Sequence, residues 1–111
     1  MSNSKVKQLL KERSKILGEL ASLSLMLHGS IVERFSTCSR PACKCHRGER
    51  HGPRRYLVVN ENGRQRQKYI PNAQVEAARM GVTQHKRLLE LVDRVTRVNV
   101  ELIREKAYGG D

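Results

Sequence analysis

Apolar residues in the first quarter of the chain fall at Val6, Leu9, Leu10, Ile16, Leu17, Leu20, Leu23 and Leu27. Their intervals of three and four predict one amphipathic helix from about Ser4 to His28, with Gly29 as its stop. Arg13 interrupts the apolar face. The period then changes. Ile31, Val32 and Phe35 lie in a β-favouring stretch from Ser30 to Thr37, and Tyr56-Leu57-Val58-Val59 and Arg64 to Ile70 predict two further strands. Asn62-Gly63 is the hairpin signal between those two, because both central positions of a type I′ turn take positive φ. That turn pairs Glu61 with Arg64, Val59 with Arg66, Leu57 with Lys68 and Tyr56 with Tyr69. One ribbon face then carries Arg64, Arg66 and Lys68 beside Leu57 and Val59; the other carries Tyr56, Val58, Gln65, Gln67 and Tyr69. Three basic groups are hard to place in a core. The two tyrosines read first as core and only second as a stacking platform for bases.

Pro71-Asn72 ends the hairpin, and Asn72 is the expected N-cap of a helix running through Val75 and Ala78 to a break or kink at Gly81. Thr83 can cap the next segment. From there Leu88, Leu91, Val92, Val95, Val98, Leu102 and Ile103 form a narrow stripe at heptad-like spacing, flanked by Arg87, Glu90, Arg94, Arg97, Glu101 and Arg104. The stripe suits packing on the first helix and suits a homodimer through the helix at 84–106 equally. Asn99 and Arg13 are the polar interruptions that can set register.

Between the first two strands the chain concentrates its metal-binding side chains. Cys38, Cys43, Cys45 and His51 form a Cys-x4-Cys-x-Cys-x5-His set, three thiolates and one imidazole, which is the complement of a closed structural Zn²⁺ site. His46 is the competing fourth ligand. It abuts Cys45, where adjacent side chains point apart, whereas five intervening residues let the chain turn back to bring in His51. A redox Cys-x-Cys pair and unrelated thiols are the competing readings of the cysteines. An iron-sulfur cluster ordinarily takes a fourth cysteine. The expected fold is therefore α+β in a single domain over 1–111. It has a long N-terminal helix (4–28), a three-stranded antiparallel sheet with an inserted zinc loop (30–70), and a C-terminal helix or helix pair (72–106) packing on the first.

Composition sharpens this picture. The chain has 111 residues, no Trp, one Phe and three Tyr, so its single core is thin and metal binding is expected to supply part of the folding free energy. Lys and Arg outnumber Asp and Glu by 22 to 11, a net +11 that favours a polyanionic partner. Residues 29–56 hold seven basic and two acidic side chains, residues 71–111 seven and six. Arg34, Arg50, Arg54, Arg55, Arg64, Arg66 and Lys68 are the candidate nucleic-acid contacts, with DNA favoured over RNA. The competing function is a protein-interaction module that meets an acidic partner. No catalytic residues are assigned: the aspartates are Asp93 and Asp111 only, no Gly-rich phosphate loop is present, and the expectation is a protein that is not an enzyme. No continuous apolar run suits a signal peptide or a membrane span, and unpaired thiols point to the reducing cytoplasm.

Leu27-His28-Gly29-Ser30-Ile31-Val32-Glu33-Arg34, the Cys38 to Cys45 cluster with Pro41, and His51-Gly52-Pro53 followed by Tyr56 and Asn62-Gly63 resemble a group of short bacterial and archaeal proteins of unknown function, loosely linked to mobile elements. The resemblance covers residues 1–106. It implies the fold and metal ligation at Cys38, Cys43, Cys45 and His51, and carries little about function. Gly81 departs from the unbroken helix expected of the group.

Overall fold

A computed structural model describes residues 3–36, 42–44, 48 and 51–109, with the backbone alone at Asn3, Ser36, His51 and Gly52. The element order is α1 (Asn3–Ala21), β1 (Ser30–Ser36), β2 (His51–Glu61), β3 (Arg64–Ile70), a single 3₁₀ turn (Asn72–Gln74) and α2 (Val75–Arg104). The arrangement is α+β, as expected. The described chain falls into two compact units, one built from residues 1–26 and 83–111 and the other from residues 27–82. The long helix α2 contributes to both.

The helical unit pairs α1 with the later part of α2. Ile16, Leu91, Val98 and Leu102 are buried together, with Val6, Leu9, Leu20, Leu23 and Val95 packed around them. Most of the predicted stripe on α2 is therefore satisfied inside one chain. Burying side chains of this size contributes about 1.5–3 kcal/mol each. The two polar interruptions meet across this seam: Arg13 Nη1 donates to Asn99 Oδ1 at 3.2 Å and also to the Tyr108 hydroxyl. A register slip of one turn would strand both groups among aliphatic neighbours.

α1 stops at Ala21, seven residues short of the expected end. Ser22 supplies the reason, since its backbone N–H and its hydroxyl both donate to the Glu19 carbonyl, and Leu23 N–H bonds Leu20 O, so the last turn tightens into 3₁₀ geometry. The side chain of Gln84 then receives the Leu25 N–H at 2.9 Å. The far end of α2 closes differently: Lys106 takes φ 58°, its N–H bonds Ile103 O, and Ala107 N–H bonds Leu102 O. Those two bonds form a Schellman cap on a residue other than glycine.

In the sheet unit the strand order is β1-β2-β3, antiparallel throughout. The hairpin register is the one predicted, from Glu61↔Arg64 to Tyr56↔Tyr69, with Asn62 at φ 52° and Gly63 at φ 81°. The buried face is the other one. Leu57 and Ile70 pack with Val75 and Ala78 of α2, flanked by Leu27, Ile31, Val59 and Val82, so the face shared with Arg64, Arg66 and Lys68 is the core face. All three basic residues lie on the edge strand β3, where long side chains keep their charges in water beyond the packed centre.

Two glycines take roles other than those their spacing predicts. Gly29 does not stop a helix; a Cβ there would meet the Val58 carbonyl oxygen at 2.5 Å and Leu57 Cδ1 at 3.2 Å, so the chain entering β1 lies too close to β2 for any side chain. Gly81 does not break α2, which continues through it. It is buried, and its carbonyl accepts the Leu27 N–H at 3.0 Å. Nor does Asn72 act as N-cap: it opens the 3₁₀ turn, which has no side-chain cap at Pro71.

Candidate nucleic-acid interface

β2 is longer than Tyr56–Val59 and begins at His51, opposite Ser36. The pairing shifts register between Arg34 and Ser36, where Phe35 faces the Gly52-Pro53 step of β2. Proline is tolerated there because β3 pairs with β2 only from Arg55 onward, so Pro53 lies at a bulge with no ladder hydrogen bond to supply on that side. His51 therefore opens β2, and Cys38 follows the last residue of β1 by two positions in the sequence. Of the four expected zinc ligands, Cys43 is half-buried, while Cys38, Cys45 and the His51 side chain lie outside the described residues, as does His46. Among the described residues no three His, Cys, Asp or Glu side chains come together.

Charge separates the two units. Residues 27–82 carry eleven basic and four acidic side chains, and the remainder eleven and seven. The helical unit also binds much of its charge internally. Arg87 makes a two-pronged pair with Glu19 and reaches Glu90 at 2.9 Å, and Lys5 reaches Glu105 at 2.8 Å. The hydrogen bond from Arg87 holds the Glu19 carboxyl below its usual range, and that from Lys5 does the same for Glu105.

The sheet unit divides the expected contacts between its faces. On the core face, Arg55 pairs with Glu33 at 3.0 Å and Lys68 with Glu61 at 3.3 Å, while Arg64 and Arg66 make no ion pair among the described residues. On the opposite face, Arg34 and Arg54 are direct cross-strand partners. Like charges directly opposed in a sheet are destabilising. Arg34 is braced by a 3.0 Å bond from Nε to Gln67 Oε1, which spans the sheet from β1 to β3 across β2. Arg50 lies outside the described residues.

Tyr56 and Tyr69 share that face with the two arginines. Their rings meet edge to face with centroids 5.8 Å apart, and Tyr69 remains 55% exposed. Reading the pair first as core is therefore wrong. Among the described residues of its unit no helix packs on the face opposite α2, so Tyr69 stays exposed and Tyr56 half-buried, with Val32 and Val58 between the polar groups. Asn60, Gln65 and Gln67 lie beside them, and a shallow hollow of about 330 Å³ is lined by His28, Gly29, Ser30, Val58, Asn60 and Gln65. The amides were legible as one face from the register, but their availability depended on which side α2 covered.

A small α+β protein with a cationic three-stranded sheet is the class these features define. Residues 6–80 match the family described as a domain of unknown function (DUF6788), and the chain belongs to that family. The matched span takes in α1 from Val6 onward, the sheet and the first six residues of α2. No curated protein and no solved structure matches the chain. No helix among the described residues is long and apolar enough to cross a membrane.

Proposed function

We propose that the protein is a non-catalytic nucleic-acid-binding protein, acting on DNA in the cytoplasm through its sheet and a zinc-stabilised loop over Cys38, Cys43, Cys45 and His51. The observation that carries this reading is the opposed Arg34 and Arg54 pair, a destabilising juxtaposition that an anion between or above the guanidinium groups would relieve. Arg64 and Arg66 extend the same field along the edge strand, with Lys68 next to them, and phosphate contacts supply most of the affinity. The closed donor set of the loop gives zinc a structural part, and a link to mobile elements fits a DNA-binding role.

The test reverses charge at Arg64, Arg66 and Lys68, and separately at Arg34 and Arg54, each to Glu. Affinity for DNA should fall, and the slope of log K against log salt should become shallower by about 0.9 for each phosphate no longer neutralised. Affinity and slope that stay at wild-type values in both variants would remove the reading. For the metal, native mass spectrometry of the full chain should show one zinc ion. Its removal by chelation should speed amide exchange across β1 and β2 while the α1 and late α2 amides keep their protection.

A second reading, self-association, is favoured by Leu89, Val92, Val100 and Ile103, which stand 42–63% exposed along one side of α2 away from the buried stripe. Sedimentation of the wild type against Ile103→Glu distinguishes it, since only a dimer through that side would dissociate.

A further inference from the structure

Resting on the nucleic-acid reading, we infer that the tyrosine face of the sheet takes an unpaired DNA strand rather than a duplex. A base inside a duplex has both faces stacked and offers an aromatic side chain nothing to lie against, whereas an unpaired base has free faces and free edges. This face supplies a group for each. The Tyr56 and Tyr69 pair, with Tyr69 more than half exposed, is a stacking surface. Asn60 and Gln65 bring amide donors and acceptors to the hollow lined also by Ser30 and Val58, and that hollow is large enough for a nucleobase.

The two features lie in one line along β2, four residues apart from Tyr56 to Asn60, or about 13 Å at strand rise. An extended strand can therefore place one base on the rings and a later one in the hollow. Arg34 and Arg54 sit at the tyrosine end on the same face and hold the backbone phosphates. Charge complementarity thus commits the face to a polyanion, and the aromatic and amide groups commit it to one with exposed bases. Val32 and Val58 supply half-buried aliphatic surface for a deoxyribose and bring no polar group of their own to recognise a 2′-hydroxyl.

The full-length protein is titrated with a fluorescein-labelled oligo-dT of about 15 nucleotides, long enough to cover a single-strand site of any size in the range of about 4–15 nucleotides, then with oligo-rU and with the dT·dA duplex. Oligo-dT should bind most tightly and quench the intrinsic tyrosine fluorescence, which no tryptophan obscures. Tyr69→Ala should weaken oligo-dT about tenfold and leave the duplex unchanged, and Tyr69→Phe should restore it. Asn60→Ala, also at an exposed position, should weaken oligo-dT without altering the ring contribution. Duplex binding at or above the strength of oligo-dT, rU binding above dT, or undiminished oligo-dT affinity in Tyr69→Ala would each overturn the inference. If Tyr69→Ala is silent while the arginine reversals abolish binding, the inference fails and nucleic-acid binding stands; if no probe binds, both fail.

Discussion

The helical unit and the sheet unit contain nearly equal lengths of chain but solve the problem of a short basic sequence differently. In the helical unit, three of the four buried residues are 0–2% exposed, and ion pairs such as Arg87 with Glu19 turn charge into local structure. In the sheet unit the buried set is Leu57, Ile70, Val75 and Ala78, each 5–8% exposed, and Arg54, Arg64 and Arg66 find no acidic partner among the described residues. Arg55 and Lys68 are held in ion pairs there, and in our proposal the remaining cations are left for the ligand. The sheet unit accordingly rests on close backbone packing and, in our proposal, on metal, whereas the helical unit rests on aliphatic burial.

That contrast can be broken most strongly at Leu91, which is fully buried between the helices. Leu91→Ala should cost about 3 kcal/mol in urea unfolding, from the transfer free energy of the missing atoms plus the cavity left behind. In a Tyr108→Phe background tyrosine fluorescence comes from the sheet unit alone, and it should report the same midpoint only if the two units unfold together. A Leu91→Ala cost below about 1 kcal/mol, well under the range for a buried leucine, would show that the helical core is not the stronger one.

Gly29→Ala probes the sheet unit by the opposite route, adding an atom where the Val58 carbonyl leaves no room. Overpacking of this kind costs about 1–3 kcal/mol. Hydrogen exchange should show it concentrated at β1 and β2, and uniform effects over α1 would contradict the division.

Acid sharpens the comparison through two carboxylates of the helical unit. The folded-state pKa of Glu19 is lowered by its hydrogen bond from Arg87, and that of Glu105 by its hydrogen bond from Lys5, each from an ordinary value of 4.5. Below that value the unfolded chain takes up protons first, so the stabilisation, complete above it, is lost as pH falls toward the depressed folded values. The effect is small because all four side chains are partly exposed. A helix-reporting urea midpoint should fall between about pH 6 and pH 3, and Glu19→Gln should flatten the fall. An unaltered profile in that variant would show the pair to be without consequence.

The chain alone determined the elements whose signals are local. The hairpin register followed from Asn62-Gly63, because positive φ at two successive residues admits few other turns, and α2 was visible in its stripe of Leu91, Val95, Val98 and Leu102. Local signals failed where the competitor was also local and weak. Ser22 turned the backbone out of α1 despite Leu23 and Leu27 continuing the pattern, and Gly81 stayed helical because propensity costs only about 1 kcal/mol against a buried position.

What the tertiary structure alone decided is which side of the sheet meets α2. Alternation places Tyr56 with Tyr69 and Leu57 with Lys68 whatever covers them, so both faces were defined in sequence, and the paired tyrosines pointed to the wrong one as core. The choice fell to Val75 and Ala78, small and apolar enough to settle against Leu57 and Ile70, and it left the tyrosines, the amides and the opposed arginines at the surface. Residue spacing names the members of a face, but only the partner that buries the opposite one determines whether they are available to a ligand.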